Sequence, residues 1–466
     1  MKKKMEGKTN RHKFTNKHGL IWLFLTILAV GLMVHSAVDA LENKQTSPSS
    51  NEPTGTQTYF TFLPIIERSA QPLPGQIMVD SNNPAWLFYN RDANGDGKLD
   101  PLFIAGPGDP EDFLYRGSRN SNGTRNGDQM AIINKLVGTG ANSIYMQVIR
   151  SHGGDGADDH NPFINSNPAN GLDDDILNQW ETWFSAMDNA GIIIYFFFYD
   201  DSACVWGCSG QNTVPIQEQL FLETLVKRFE HHKHLIWVVA EEHQEVFSSQ
   251  RVANIAAIIR QADGHNHPIA LHQVNGLNFA LPDDPNIDQF AIQYNVAGAA
   301  LHNGMVTAWN SANGRYNLNM SESSEHGTGT TARRNSWLSA MGGAYVMVYQ
   351  MDVANTSISD LEDLGRLRTF FESTNFYEMA PHNELASGAT GYVLAQPGIS
   401  YIAYGTNAGS IGLKGMSAGI YDFTWLDTIT GVTVNQKGVS VGSGDQTWNK
   451  PGGLGNEVAV YIRRSN

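Results

Sequence analysis

Carboxylates that could do chemistry are concentrated in two short segments of the chain. In the first, Leu235-Ile-Trp-Val-Val-Ala-Glu-Glu-His-Gln-Glu245, six apolar residues run into Glu241 and Glu242. The second, Asn317-Leu-Asn-Met-Ser-Glu322, is followed closely by Glu325. Two carboxyl groups brought together can cleave a glycosidic bond, because one protonates the leaving oxygen while the other attacks the sugar or activates water.

The element that must position the first pair of carboxylates is a strand. A continuous apolar run after a helix-like segment predicts a strand that is buried on both faces. In parallel α/β barrels the carboxyl ends of the strands meet at one mouth, which holds the catalytic groups. Polar residues at the ends of other predicted strands are therefore expected at the same mouth. They are Arg150, His152, Asp200, Asp201, His272, Tyr294 and Tyr349.

Strand and helix patterns alternate over the middle of the chain. Strands are predicted from Pro101 onward and then at 143–149, 191–199, 235–240, 268–272, 287–294, 316–322 and 344–350. Helices are predicted at 128–136, 172–189, 215–231, 252–261, 331–341 and 359–373. Eight strands with mostly helical crossovers predict an α/β fold, a (β/α)8 TIM barrel. A doubly wound open sheet is the alternative. Such a sheet typically has a glycine-rich phosphate-binding motif after an early strand, and the sequence has no such motif.

The pattern changes after about Ala380. Short strand-like runs then recur about every ten residues between Gly/Asn turns, without helices, which predicts a small all-β sandwich. We therefore predict a barrel over residues 58–378 and a C-terminal β-sandwich over 379–466.

The first forty residues have the sequence pattern of a signal peptide. A basic segment precedes an apolar stretch from Gly19 to Val34, and Val38-Asp39-Ala40 fits a cleavage site. A retained membrane segment is the less favoured alternative, because the apolar run is short for spanning a bilayer. Residues 41–57 are polar and rich in Ser, Pro and Thr, which predicts a flexible linker. The mature protein is expected to be secreted, periplasmic or on the cell surface.

Charge narrows the classes of partner. Residues 1–40 hold seven Lys/Arg and two Asp/Glu, so the remaining chain has 24 basic and 44 acidic side chains. This excess of negative charge argues against nucleic acid and against an anionic membrane surface as partners. The sequence shows no other stretch that is long and apolar enough to span a bilayer, so no stable membrane insertion is expected after removal of the signal peptide. The two cysteines, Cys204 and Cys208, predict a local disulfide in an exported protein, with metal binding as the weaker alternative.

One loop has the spacing of a calcium site. Asp92-Ala-Asn-Gly-Asp-Gly-Lys-Leu-Asp100 places Asp92, Asn94, Asp96 and Asp100 at alternating ligand positions, with Gly97 at the sharp turn. Phe103 stands where an EF-hand has its bidentate Glu, so the closing carboxylate must come from elsewhere. A structural calcium ion is predicted, and a solvated Asp/Gly turn is the alternative. No cofactor is expected to be required for catalysis.

With these residues in place, the chain resembles a known clan. His232-Lys-His-Leu-Ile-Trp-Val-Val-Ala-Glu-Glu242 is similar to the fourth-strand segment of retaining glycoside hydrolases with (β/α)8 barrels, and Asn317–Glu322 resembles their seventh-strand segment. The resemblance implies that Glu242 is the acid/base and Glu322 the nucleophile. The clan segment ordinarily ends Asn-Glu, so Glu241 stands in place of the Asn that contacts the sugar 2-hydroxyl.

The two-part layout resembles the apiosidase-like family, whose barrel is followed by a β-sandwich named for collagen binding. The segments that carry this resemblance are 421–431 and 456–462. It implies a secreted glycoside hydrolase that degrades a polysaccharide or oligosaccharide. The alternative is a non-catalytic carbohydrate-binding or surface protein on a degenerate barrel.

Two choices stay open at this point. Adjacent residues of an extended chain point to opposite sides, so only one of Glu241 and Glu242 is expected to face the mouth, and we favour Glu242. Glu325 could replace Glu322, which lies nearer the strand end. Trp206 is a further candidate for stacking on a sugar face. The predicted substrate-binding residues are Trp86, Arg150, His152, Asp200, Glu241, His272, Tyr294, Glu325 and Tyr349.

Overall fold

The computed structural model describes residues 71–108, 113–150, 159–208, 210–347 and 354–465. The predicted signal peptide and the predicted linker lie outside these residues. So do His152 and Tyr349, two of the predicted substrate-binding residues. Among the described residues, no helix combines the length and the hydrophobicity needed to cross a membrane.

The described chain begins with small antiparallel pairings. One sheet contains β1 (Ile77–Asp80), β2 (Asn83–Tyr89) and β3 (Asp100–Pro101), and a two-stranded ribbon contains β4 (Ser118–Arg119) and β5 (Arg125–Asn126). Short 3-10 turns lie at Phe113–Tyr115, Ile164–Ser166, Pro168–Asn170, His243–Glu245, Phe376–Glu378 and Asn383–Leu385.

A curled, seven-stranded parallel sheet is the centre of the fold. Its strands are β6 (Ser143–Ile149), β7 (Ile193–Tyr199), β8 (Leu235–Val238), β9 (Ile269–Gln273), β10 (Gln289–Gln293), β11 (Asn317–Glu322) and β12 (Tyr345–Val346). They follow one another in space in the same order as in sequence. Nearly every residue in them is buried, which is why these segments read as continuous apolar runs.

The segment 102–106 lies between the two edge strands of this sheet. Val346 N–H donates to Ile104 O and Gly106 N–H donates to Val346 O, both at 3.0 Å. On the other side, Asn142 N–H donates to Ala105 O at 3.0 Å. Gly106 permits this approach, since a Cβ there would lie 2.1 Å from Ser143 Oγ. The arrangement of strands is consistent with a TIM-like barrel fold.

Seven helices surround the sheet in the described residues. They are α1 (Gln129–Thr139), α2 (Asp174–Ala190), α3 (Ile216–Phe229), α4 (Ser249–Ala262), α5 (Gly298–Ala312), α6 (Thr330–Met341) and α7 (Ile358–Glu372). Side-chain caps fix several starts, as where Ser248 Oγ accepts from Arg251 N–H at 3.2 Å. The sequence patterns predicted six of these helices and missed α5. No helix joins β9 to β10, although all of residues 274–288 are described.

The C-terminal strands form two further sheets. The strands are β13 (Ala380–Pro381), β14 (Ala386–Ser387), β15 (Tyr392–Gln396), β16 (Ser400–Gly405), β17 (Ser410–Met416), β18 (Gly419–Asp427), β19 (Thr433–Val441), β20 (Gly444–Asn449) and β21 (Val458–Arg464). A six-stranded sheet has the order β13-β15-β16-β21-β18-β19, and a three-stranded sheet has the order β14-β17-β20. They share a separate apolar cluster that includes Tyr421, Phe423 and Trp425.

A buried ion network joins α6 to the C-terminal sheet. Glu457 accepts from Arg333 Nε and from Arg334 Nε, each at 2.9 Å. Glu457 is 2% exposed, and Tyr404 Oη also donates to it at 3.1 Å. Cations beside a buried carboxylate offset part of its desolvation cost, so the network fixes this sheet against the helix.

Candidate active site

The backbone after β8 determines where the two adjacent glutamates point. Glu241 N–H donates to Tyr199 O at 3.0 Å, and Glu242 then adopts a left-handed conformation with φ 34° and ψ 44°. Such a conformation in a non-glycine residue costs on the order of 1–3 kcal/mol. It ends the extended alternation at this residue. Glu241 has a carboxylate oxygen within 4.8 Å of one of Glu322, and Glu242 has one within 4.8 Å of oxygens of Asp201 and Glu245. The negative charge of Glu322 raises the pKa of both glutamates.

Glu322 is the last residue of β11 and is held by two neighbouring side chains. Gln293 Nε2 donates to Glu322 Oε1 at 2.7 Å, and His272 Nε2 lies 3.5 Å from Glu322 Oε2. A register shift between β10 and β11 pairs Gln293 with Glu322 after Ile292 has paired with Met320. The Glu322 side chain is 18% exposed, which leaves a carboxylate edge accessible to a ligand.

His272 is fully buried at the end of β9 and links both acidic segments. Its Nδ1 accepts from Glu242 N–H at 3.2 Å, which leaves the proton of a neutral ring on Nε2, the nitrogen that faces Glu322. Burial, followed by the neighbouring His243, lowers the pKa of His272 to about 3. The ring is therefore neutral at physiological pH and can offer a proton donor to Glu322 without adding charge.

Glu241 lies in the most acidic and most buried part of the cluster. Gln147 Nε2, from β6, donates to Glu241 Oε2 at 2.6 Å. Asp200, just after β7, is also buried, and Arg150 Nε lies 3.2 Å from its Oδ2. Burial, followed by the negative charges of Asp200 and Glu322, holds the pKa of Glu241 well above its usual range.

Glu242 is half-buried and differs from Glu241 in its neighbours. Burial, followed by the charges of Glu322 and Glu245, raises the pKa of Glu242 to about 7. The Gln293 side chain opposes part of this rise in pKa, and its Nε2 donates to Glu322 Oε1 at 2.7 Å. A carboxyl group with a pKa near neutrality can both donate and accept a proton at physiological pH.

Three groups of side chains place their donor atoms within 4.8 Å of one another, which is close enough to consider a metal ion. They are Glu241, His272 and Glu322; Asp201, Glu242 and Glu245; and Glu181, His231 and His232. In the first group the carboxylates are held by Gln147 and Gln293 and need no ion to account for their positions. The third group lies elsewhere, on α2 and just after α3, and His231 is exposed.

Several predicted substrate-binding residues are not brought to this cluster. Trp86 is 1% exposed and packs edge-on against Tyr345 and Phe376, so it is a core residue. The ring of Tyr294 lies against α5, where a Cβ on Gly304 would come within 2.3 Å of it. Glu325 is exposed in the loop after β11. Strand alternation explains Tyr294, because its neighbour Gln293 occupies the inward side.

The sequence patterns also missed two residues of the cluster. Gln147 and Gln293 are polar residues in strands that are largely apolar, and both are buried. An isolated amide in a buried strand must find a partner, because an unsatisfied polar group is costly. That signal was available in the sequence and could have placed both side chains near buried acids.

The segment after β7 holds Trp206, the further candidate for stacking on a sugar face. Cys204 and Cys208 form a disulfide, as predicted, in the segment that follows β7. Trp206 between them packs against Phe221 of α3 and Phe163, with ring centroids at 5.0 and 5.7 Å. Trp206 is thus held by the protein itself and is only partly exposed.

The predicted calcium ligands lie in an exposed loop remote in sequence from the cluster. Asp92 Oδ1 and Oδ2 accept from Gly95 N–H at 2.7 Å and from Gly97 N–H at 2.9 Å. Asp96 Oδ1 accepts from Lys98 N–H at 2.9 Å, and Asp100 binds Arg91 Nε at 2.8 Å. Phe103, at the position of the missing Glu, is fully buried.

Comparison with known proteins places the fold among glycoside hydrolases. No protein-family model and no curated protein sequence matches the chain. A solved structure described as "Glycoside hydrolase" is similar with a TM-score of 0.58 and 14% identity, over 85% of this chain and 99% of that one. A glycoside hydrolase family 5 protein from Bacteroides vulgatus ATCC 8482 gives 0.59 and 13%, over 84% and 93%. At these identities the shared property is the fold.

Proposed function

We propose that the chain is a glycoside hydrolase in which Glu242 is the acid/base and Glu322 is the nucleophile. The observation that carries the proposal is that His272 contacts both acidic segments: its Nδ1 accepts from Glu242 N–H at 3.2 Å, and its Nε2 lies 3.5 Å from Glu322 Oε2. Two carboxyl groups at strand ends that share one histidine can serve one sugar, with one attacking the ring and the other protonating the leaving oxygen. That arrangement favours a retaining mechanism, for which the separation is about 5–5.5 Å.

The two carboxyl groups are suited to different steps. Glu242, with its raised pKa, carries the proton that the leaving oxygen needs in the first step, and its carboxylate then activates water in the second. Glu322 receives donors from Gln293 and faces His272, which hold its oxygens in a fixed direction. A nucleophile held in one orientation gains rate because less freedom is lost on attack.

The proposal is tested by assaying wild type, Glu322→Gln and Glu242→Gln against plant, algal and bacterial polysaccharides. Wild type should release sugar from at least one of them, and Glu322→Gln should abolish release while the protein stays folded by circular dichroism. Glu325→Gln is the matched control, because that carboxylate is exposed and lies outside the cluster. Unchanged activity in Glu322→Gln would remove the assignment.

A second candidate function is carbohydrate binding without turnover. It is favoured by one observation, the presence of Glu241 where retaining enzymes of this kind carry Asn. A glycan array distinguishes the two: binding to a glycan that the protein leaves intact over days supports the binding protein, and cleavage of the bound glycan supports the enzyme.

The finer assignments rest on the sequence features. We infer a complete (β/α)8 barrel, because residues 102–106 hydrogen-bond to both edge strands, and a C-terminal β-sandwich related to that of the apiosidase-like family. The basic and apolar N-terminal segment supports export to the periplasm, the cell surface or the medium. The substrate class is a polysaccharide or oligosaccharide, and an acidic protein suits neutral glycans better than nucleic acid.

A structural calcium ion in the loop of Asp92, Asn94, Asp96 and Asp100 is part of the proposal. The carboxylate spacing and the turn at Gly97, with φ 81°, support it. Calorimetric titration of the purified, chelator-treated protein with Ca²⁺ tests it. Binding heat that is lost in Asp92→Asn is expected, and the absence of heat in wild type would argue for a solvated turn.

A further inference from the structure

Two histidines and one glutamate meet beside the start of β8, at the other end of this strand from Glu241 and Glu242. His231 and His232 lie between α3 and β8, and Glu181 lies in the middle of α2. Glu181 Oε1 is 3.0 Å from His231 Nε2 and 3.3 Å from His232 Nε2. One ligand atom from each of the three residues lies within 4.8 Å of the other two. Two imidazoles and a carboxylate therefore converge on one point.

Hydrogen bonds account for only part of this cluster. Glu181 Oε1 accepts from Ser185 Oγ at 3.0 Å, and His231 Nε2 lies at the same distance from it. A carboxylate oxygen has two lone pairs, so these two partners occupy it. His232 is 2% exposed, and its Nε2 has no hydrogen-bond partner among the described residues. A buried nitrogen of this kind needs a further partner, and it lies where a metal ligand would lie, beside a carboxylate and a second imidazole.

The spacing of the ligand atoms fits a tetrahedral zinc ion. Zn²⁺ binds imidazole nitrogen and carboxylate oxygen at about 2.0–2.2 Å, so two ligand atoms of a tetrahedral site lie roughly 3.3–3.6 Å apart. The two distances from Glu181 Oε1, 3.0 and 3.3 Å, are close to that separation. Imidazole is a ligand for zinc and other late transition metals, whereas Ca²⁺ and Mg²⁺ prefer oxygen ligands. The His231 side chain is 55% exposed, which gives an ion access and leaves room for a water ligand.

The buried histidine is held in position by contacts that do not involve an ion. The ring of His232 packs against Phe184 and Phe229, with ring centroids at 6.0 and 6.3 Å. The His232 backbone oxygen accepts from His267 Nε2 at 2.8 Å. A ligand that is fixed before the ion arrives loses little conformational freedom on binding, which favours affinity.

A separate contact holds the histidine segment against α2. Asp188 Oδ1 accepts from His234 N–H at 2.8 Å and lies 2.9 Å from His234 Nδ1. Glu181, Ser185 and Asp188 share one face of α2, because they are four and seven residues apart. Segment 231–234 is therefore fastened to the same helix face that presents the Glu181 carboxylate. The Ser185 hydroxyl orients that carboxylate, as outer hydrogen bonds do in metal sites.

We propose that Glu181, His231 and His232 form a zinc site that fastens α2 to the segment between α3 and β8. The ion takes two imidazole nitrogens, one carboxylate oxygen and a water molecule. Its role is structural, because in parallel barrels the N-terminal ends of the strands contribute to stability and the carboxyl ends carry the chemistry. The site uses none of the carboxylates of the proposed function, so failure of one proposal leaves the other standing.

Calorimetric titration of the purified, chelator-treated protein with Zn²⁺ tests the site. Wild type should bind one equivalent at this site with a Kd in the micromolar range or below. His231→Ala and Glu181→Gln should each weaken that binding at least about tenfold, because each removes one ligand. His382→Ala is the matched control, since this partly exposed histidine lies 2.6 Å from a carboxylate oxygen of Glu384 and belongs to none of the three-residue groups in the described residues. No saturable binding in wild type, or wild-type binding in both ligand variants, would overturn the proposal.

Ion competition separates this site from the loop of Asp92–Asp100. Excess Ca²⁺ should leave Zn²⁺ bound, because a hard cation prefers oxygen ligands to imidazole. Displacement of Zn²⁺ by Ca²⁺ would place the zinc ion in an all-oxygen site and would contradict the proposal.

Thermal unfolding separates it from the group of Glu241, His272 and Glu322. Free Zn²⁺ at a hundredfold excess over Kd should raise the melting temperature of wild type by about 3 °C. The same rise is expected in Glu322→Gln, which alters the other group that contains a histidine, and no rise is expected in His231→Ala. A rise that persists in His231→Ala and is lost in Glu322→Gln would assign the ion to the carboxylate cluster and overturn the proposal.

Discussion

Gln293 Nε2 donates a 2.7 Å hydrogen bond to Glu322 Oε1 across two neighbouring parallel strands. This bond orients the carboxyl group of the proposed nucleophile. Gln293→Ala should lower kcat about ten- to a hundredfold with a smaller change in KM, because orientation matters most in the transition state. Steady-state kinetics on the best substrate checks this. Gln250→Ala, on the exposed face of α4, is the control and should behave as wild type.

The pH dependence of activity should follow Glu242. Its pKa is raised to about 7, so the proton needed by the leaving group is present below that pH and is lost as the pH rises through it. We expect kcat/KM to fall about tenfold per pH unit above this point. A profile of kcat/KM from pH 4 to 10 provides the measurement. A rate that stays flat to pH 9 would assign the acid role to another group.

The raised pKa of Glu241 predicts a stability effect of definite sign. A carboxyl whose pKa is higher in the folded state than its usual 4.5 stabilises the fold below that pH, and this contribution is lost as the pH rises. The glutamine in the Glu241→Gln variant does not ionise. The melting temperature of this variant, relative to that of wild type, should therefore rise between pH 4.5 and 8. The gain is at most about 1.4 kcal/mol per pH unit. Calorimetry at pH 5 and pH 8 measures it, and a gain in the opposite direction would mean that Glu241 is ionised when folded.

Breaking the ion network at Glu457 should destabilise the whole chain. Glu457→Gln leaves Arg333, 8% exposed at its side chain, with a neutral partner. Loss of one member of a buried pair costs about 3–5 kcal/mol. Burial alone would raise the pKa of Glu457, but Arg333 and Arg334 hold that pKa below its usual 4.5. The stabilisation that Glu457 contributes is therefore present above pH 4.5 and is lost as the pH falls below it. Denaturant unfolding tests this, with Glu362→Gln as a control because that carboxylate is largely exposed.

The substitution Trp86→Ala should lower the stability of the protein and leave glycan binding unchanged. Its ring packs against Trp309, Tyr345 and Phe376 and is 1% exposed. Trp86→Ala should therefore cost about 3–5 kcal/mol through the cavity it leaves. Chemical denaturation gives the stability and KM gives the effect on substrate. A large rise in KM with unchanged stability would place Trp86 at the substrate after all.

The pattern of apolar residues predicted the strands of the parallel sheet well. It did not predict which side chains meet at the C-terminal ends of these strands. Buried strands such as β7 and β8 are apolar over their whole length, so β6 to β12 were predicted near their observed positions. The helix α5 was missed because its sequence, Gly298–Ala312, contains two glycines and two asparagines and shows little alternation of apolar and polar residues. Tertiary packing against β11 and α6 stabilises it despite that composition.

The sequence by itself determined that carboxylates follow two buried strands. It also determined that His272, Asp200 and Arg150 lie at the C-terminal ends of other strands. Only the tertiary structure decided which of these groups meet. Folding brings a Glu241 oxygen within 4.8 Å of one of Glu322, and Gln147 and Gln293 come from strands distant in sequence. Proton positions depend on burial and on charges brought close by folding, and these distances are not encoded in local spacing. For that reason the environment of Glu241 can be described only once the strands are arranged in space.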